Sequence, residues 1–305
     1  MQPQRQIQYG FTLVEMIVVM VITGIIGGMV AIFIKAPVQG YMDSARRAEM
    51  TDIADTALRR MARDIRTAVP NSVRVLNPAG VNTYIEFLPT VAGGRYRGDQ
   101  SGGAGNLCSA VAGNANGDAL SFDTGGDTCF EIIGTQIQFS ANGGGTTADQ
   151  IVIGSTQSSG NPPYDSSASG IRRPYNGSVT GAQSKVVMTG TQLPGFVAGL
   201  AGQRFDVVPG SQQAVTYACE TAVPAAASGD GTLVLRRYWG YGFNLGLSPP
   251  PLAGSSAILA DKVSACEIVY NTVNQRNGLA AIRLGLTRGG ESISLYEEIH
   301  VNNVP

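Results

Sequence analysis

Three patterns of apolar and polar residues follow one another along the chain. Residues 11–34 are apolar apart from a few small or hydroxylated positions and one acid, Glu15, and no charge falls between Met16 and Ile34. As a helix at about 1.5 Å per residue, this stretch reaches roughly 36 Å, enough to span a bilayer. Over 38–69 apolar residues (Val38, Tyr41, Ala45, Ala48, Ile53, Ala57, Met61, Ile65, Ala68) recur every three to five positions. That stripe predicts an amphipathic helix with one face on a sheet. Asp43/Arg47 and Asp55/Arg59 are spaced for i,i+4 pairs. Its charged side carries Arg46, Arg47, Asp52, Arg59, Arg60, Arg63 and Arg66. Pro37 is expected to bend or interrupt the helix and Pro70-Asn71 to end it.

After Pro70 the helical period disappears. Short alternating runs predict strands over 72–76, 83–88, 119–123, 132–139, 150–153, 185–189, 204–208, 214–219, 231–241, 258–270, 279–287 and 291–301. Arg288-Gly289-Gly290-Glu291 makes the last two a hairpin. Gly/Ser/Asn-rich stretches at 93–105, 142–147, 155–170 and 248–256 read as surface loops. The expected fold class is α+β, a long N-terminal helix laid on a large antiparallel β domain. The expected divisions are 1–10, a polar leader; 11–34, a transmembrane helix; 35–69, its amphipathic continuation; and 70–305, a β-rich region in one or two lobes.

The boundary between leader and apolar run carries the most specific chemistry. Gly10-Phe11-Thr12-Leu13-Val14-Glu15 places a Gly-Phe junction before the hydrophobic stretch. A secretory signal is cut after its apolar run; here the run stays on the mature chain. These residues resemble the type IV prepilin signature. The resemblance implies a pilin-like architecture and cleavage between Gly10 and Phe11 by a prepilin peptidase. It also implies N-methylation of Phe11 and pairing of Glu15 with the N-terminal amine of a neighbouring subunit. Within the apolar helix, Gly24 and Gly28 form a small-xxx-small face suited to close helix packing. Retention of Glu15 suits a subunit with another above it rather than the terminal cap.

Further along, Val38-Gln39-Gly40-Tyr41 through Asp64-Ile65-Arg66, Val215-Thr216-Tyr217-Ala218-Cys219, Leu259-Ala260-Asp261-Lys262-Val263 and the closing 295–305 segment resemble the O-type minor pilins of mannose-sensitive haemagglutinin (MSHA) pili. Pilus W subunits and type II secretion J pseudopilins share the plan. This implies a non-enzymatic role in pilus assembly, at or near the initiating tip. The implied partners are the prepilin peptidase, other minor pilins, the major pilin and an inner-membrane assembly platform. The implied location is the inner membrane, single-pass, with the C-terminal part in the periplasm, and later the pilus surface. A type II secretion pseudopilin and a pilus-displayed adhesin are the rival expectations. Arg5 before the span, against Lys35, Arg46 and Arg47 after it, mildly opposes that orientation by the positive-inside rule. The peptidase junction and the cysteines outweigh it.

Composition adds little beyond these motifs. Charged residues make up 14% of 305, Gly numbers 40 and the net charge is −1, so there is no electrostatic case for nucleic acid. Cys108, Cys129, Cys219 and Cys266 form no CxxC pair, and with one His a zinc site is not expected. Four cysteines beyond an export signal predict two disulfides in an oxidising compartment. Three connectivities are open, and nearest-neighbour pairing is the expected one. No P-loop, GxSxG or HExxH occurs, and neither cofactor nor metal is expected. Asn114-Ala115-Asn116-Gly117-Asp118 lacks the order of a calcium loop. Arg97-Gly98-Asp99, the sequon Asn176-Gly177-Ser178 and the lone His300 carry no function on their own.

Overall fold

The computed structural model describes residues 10–76, 83–98, 107–108, 111, 117–122, 127–139, 149–155, 162–165, 167, 170–177, 183–191, 193–194, 202–246, 252–274 and 277–304. Residues 1–9 of the leader, Asn114 to Asn116, Asp99 and Ser178 lie outside them. The chain divides into two compact units, 1–49 and 50–305.

One helix, α1 (Leu13–Arg66), runs through both predicted segments. It continues through Pro37, so of the expected bend or interruption the interruption does not occur. Proline removes one N–H and crowds one preceding carbonyl, a local loss within a 54-residue helix. The packed stripe is also shorter than expected. It begins at Met50 and continues through Ala54, Ala57, Leu58, Met61, Ala62 and Ile65, whereas Val38, Tyr41, Ala45 and Ala48 are exposed. Asp55 pairs with Arg59 at 2.8 Å as expected, and Asp43 meets Arg46 at 3.2 Å.

In the second unit the strands form two antiparallel sheets. The first joins β1 (Arg74–Leu76), β2 (Thr83–Phe87), β9 (Val215–Thr221), β10 (Leu233–Trp239), β11 (Ser255–Asn274), β12 (Asn277–Arg288) and β13 (Glu291–Asn302), in that spatial order. Its inner face and the helix stripe share one core, with Met61, Ile65, Phe87, Tyr217, Leu235 and Ile282 among its members. The second sheet has the order β6 (Arg172–Pro174), β5 (Gln150–Ile153), β8 (Arg204–Val208), β3 (Ala92–Tyr96), β4 (Cys129–Ile133), β7 (Lys185–Val187). It has its own core around Phe130, Ile151, Tyr164, Phe205 and Val207. Arg288 pairs with Glu291, and Gly289 and Gly290 have φ of 58° and 84°. Two successive positive φ values are what a two-residue hairpin turn requires.

Several strand expectations need correction. The 119–122 segment is not a strand, and the run expected over 132–139 is β4, displaced to 129–133. β3 lies where a Gly-rich loop was expected, and its Gly93 and Gly94 pair with Asp206 and Phe205. A Cβ on Gly93 would come within 3.0 Å of the Phe205 carbonyl oxygen, so this strand needs a residue with no side chain. β6 was not anticipated, and the expected loop at 155–170 contributes a 3-10 turn, Pro162–Tyr164, that buries Tyr164.

On β8, burial pushes the Asp206 carboxyl up to about 6, with Arg204 pulling the other way. The unfolded value is about 3.9. A folded-state value above it means the group favours the folded state fully below pH ~4 and loses that contribution as the pH rises through about 6. Asp206→Asn is therefore expected to gain about 1–2 kcal/mol over the parent at pH 7.5 and little or nothing at pH 4. Denaturant unfolding at the two pH values measures this; an equal change at both would refute it.

Candidate functional site

The start of α1 shows why the residues of the N-terminal motif sit together. Gly10, Phe11 and Thr12 precede the first helical residue, Leu13. Thr12 is the N-cap: its Oγ1 accepts the Glu15 backbone N–H at 3.3 Å, and its carbonyl accepts Met16 N–H at 3.2 Å. Thr-x-x-Glu is the spacing of a capping box. An acid in the first turn also complements the positive end of the helix dipole. The motif's Thr and Glu thus start the helix immediately after the Gly-Phe junction, leaving Gly10 and Phe11 exposed and outside it. The sequence reading assigned Thr12 no role, although the Thr-x-x-Glu spacing was there to be read.

Along the apolar run every residue is exposed, Phe11 at 77% and Phe33 at 83%. It lies within the one helix among the described residues that is long and apolar enough to cross a membrane. Beyond the Thr12 cap its one hydroxyl, Thr23 Oγ1, donates to the Val19 carbonyl at 2.7 Å, which satisfies it without water. A Cβ at Gly24 or Gly28 would meet nothing within 4 Å. Among the described residues nothing requires glycine at those positions.

In the second unit, α1 is fastened to the first sheet by a charged lock that the sequence reading missed. Asp64 accepts a hydrogen bond from the Tyr217 hydroxyl at 2.7 Å and pairs with Arg237 Nε at 3.1 Å. Arg237 also donates to Gln212 and stacks near Trp239, 5.1 Å from its centroid. Burial, with the Asp64 charge beside it, pushes the Tyr217 hydroxyl well above its usual range, so it stays a donor. Beside it is a second buried network. Glu86 accepts from Arg74 and from the Tyr241 hydroxyl, Tyr241 meets Thr216 at 2.6 Å, and the Arg74 guanidinium lies 3.7 Å over the Tyr164 ring. Burial raises the Glu86 carboxyl, against the pull of Arg74 and Tyr241. Glu86 is 1% exposed and both its oxygens are occupied, so this network joins strands and offers nothing to a ligand.

The structure pairs Cys108 with Cys129 and Cys219 with Cys266. Asp118, from the weak calcium-like run, is buried and accepts the Cys108 N–H at 2.9 Å. His300 is exposed on β13. Among the described residues no group of three or more His, Cys, Asp or Glu is gathered to hold a metal.

Residues 5–31 match the model of the prokaryotic N-terminal methylation motif. The motif marks a type IV pilin-like or pseudopilin protein, a structural rather than catalytic class. It implies processing by a prepilin peptidase and membrane association through the apolar helix. The long helix and the large antiparallel domain fit a pilin-like α+β fold. No curated protein and no solved structure matches the chain.

Proposed function

We propose that this chain is a non-enzymatic minor pilin of the MSHA type, acting in the initiating or tip complex of a type IV pilus. The observation that carries the reading is a methylation motif capped directly onto an uninterrupted apolar helix that enters a large β domain. The peptidase cuts after Gly10 and methylates Phe11. The mature chain is held in the inner membrane with residues 50–305 in the periplasm, where the two disulfides form, and it then enters the filament. Glu15 pairs with a neighbour's amine, and Gly24 and Gly28 pack against adjacent helices. The β domain contacts other minor pilins.

The test is the mass of the mature N-terminus in cells with and without the peptidase. We expect N-methylated Phe11 only when the peptidase is present. A chain still starting at Met1, or one cut after Ile34, would sink the reading. Cross-linking in cells then separates the pilus from its alternative: recovery of secretion pseudopilins instead of pilus subunits would make this a J-like secretion component.

A further inference from the structure

The whole of the second sheet comes from one stretch of chain. Strands β3 to β8 all lie between β2 and β9, and β2 and β9 are themselves neighbours in the first sheet, with Phe87 opposite Val215. A chain that turned from Phe87 straight into Val215 would already complete the first sheet. Residues 88–214 are therefore an insertion at a hairpin, and the insertion leaves and rejoins the sheet at one paired position. Ends that lie together are what lets one domain sit inside another without disturbing it.

Within the insertion the sheet closes on itself. β6 and β7 stand at the two ends of its strand order, yet Tyr175 bridges Met188. The Asn176 N–H donates to the Val187 carbonyl at 2.7 Å, and the Thr189 N–H to the Pro174 carbonyl at 2.9 Å. The six antiparallel strands thus form a barrel, and closure removes the open edges that another element would have to complete.

Residues 50–305 pack as one compact unit, but the two parts keep separate interiors. Among the described residues, Val69 is the one buried member of the barrel's core from outside 88–214, with Tyr241 and Phe243 against its flank. The core under α1 takes no residue from inside the insertion. The disulfides divide in the same way, Cys108–Cys129 within the insertion and Cys219–Cys266 outside it. Where the parts meet, the contacts are largely polar. The Tyr164 hydroxyl donates to the Ser72 carbonyl at 2.9 Å, Asn71 to the Ser155 carbonyl at 2.6 Å and Arg237 to Gln212 at 2.8 Å. A cleft of about 390 Å³ opens in this seam, with Arg66 and Thr67 on one side and Gly93 and Asp206 on the other. Polar, imperfectly filled contacts are typical between domains that keep their own cores.

We propose that residues 88–214 are a self-contained barrel module carried by the pilin scaffold, and that the assembly surface lies wholly on α1 and the first sheet. The inference rests on the filament-subunit reading and assigns two jobs to two parts. The scaffold holds the methylation motif, the apolar helix and the sheet that fastens the helix. The barrel adds nothing to any of these and is carried on the scaffold as a separate body.

The test replaces residues 88–214 with Asn-Gly, a two-residue turn suited to a hairpin, in otherwise full-length chain in piliated cells. We expect the parent's mature N-terminus and an amount in sheared filaments within about twofold of the parent. A processed variant missing from the filaments would put assembly contacts on the barrel and overturn the inference. So would a degraded variant, because the scaffold would then need the barrel in order to fold. A second measurement keeps the whole chain and follows amide hydrogen exchange after Cys108→Ala with Cys129→Ala. Exchange is expected to rise about tenfold or more within 88–214 and less than about twofold in 50–87 and 215–304. Equal acceleration on both sides of the seam would make them one cooperative body and refute the module. A parent chain that keeps Met1 identifies failure of the pilin reading instead, and the exchange result still decides whether the barrel is separate.

Discussion

Replacing Glu15 with Ala is expected to leave cleavage after Gly10 intact and to reduce incorporation into filaments more than a hundredfold. The carboxylate sits in the first turn of α1, beside the Thr12 cap, and the proposed cut after Gly10 would place the new N-terminus close to it. In a bundle of apolar helices, an amine left without its acid is a buried, uncompensated charge. Breaking such a pair costs about 3–5 kcal/mol, and every 1.4 kcal/mol is a factor of ten. The competing effects are smaller. Losing the acid removes about 0.3–1 kcal/mol of favourable interaction with the helix N-terminus. It also relieves a membrane-insertion cost of at most about 2.5–3.5 kcal/mol, less near the interface. Both act on the single chain in the membrane: the first slightly weakens the helix start, and the second favours retention there. The mature chain should therefore accumulate in the membrane fraction and vanish from sheared filaments. Glu15→Gln separates charge from shape, since it keeps the side-chain length and loses the ionic contact. Parental levels of either variant in sheared filaments would remove charge pairing from the mechanism.

What the sequence made legible is what local chemistry dictates. The apolar run, the Gly-Phe junction and Glu15 are contiguous, and the helix they announce is there from Leu13. Strands 150–153 and 204–208 appear at their expected bounds because buried β-branched and aromatic residues mark them unaided. β3 was invisible because Gly93 and Gly94 carry no side-chain pattern; it lies between β8 and β4, where a Cβ on either glycine would crowd its neighbours. The Asp64–Arg237 lock spans 173 residues and becomes visible only once β10 lies beneath the helix. The amphipathic stripe was overextended for a related reason. Helical spacing alone does not say which turns have a sheet to pack on, and here that begins at Met50.

The larger loss of stability should come from Cys219→Ala with Cys266→Ala rather than from Cys108→Ala with Cys129→Ala. β10 lies between β9 and β11 in the sheet, and its pairing with β11 reaches only as far as Val263. Beyond that point β11 continues to Asn274 with β12 on one side, and the Cys266–Cys219 bond ties it back to β9 with Cα atoms 6.3 Å apart. The separations enclosed are 47 residues for this pair and 21 for the other. Chain-entropy arguments then give about 4 kcal/mol against about 3.3 kcal/mol. Position distinguishes the pairs by where the packing is lost. Cys219 belongs to the core shared with the helix and Cys266 packs against it, whereas Cys108 and Cys129, though fully buried, lie outside that core. Truncation therefore costs packing at both bridges but loosens the helix contact only at the first. For a domain of this size about 4 kcal/mol corresponds to a fall in Tm of about 8–16 °C. The measurement is thermal unfolding of the full chain in detergent, followed by tyrosine and tryptophan signals, for the two double variants side by side. If the Cys108/Cys129 variant melts lower, the tie between β9 and β11 is not what holds the long strands against the helix, and the Asp64–Arg237 lock would have to carry that load instead.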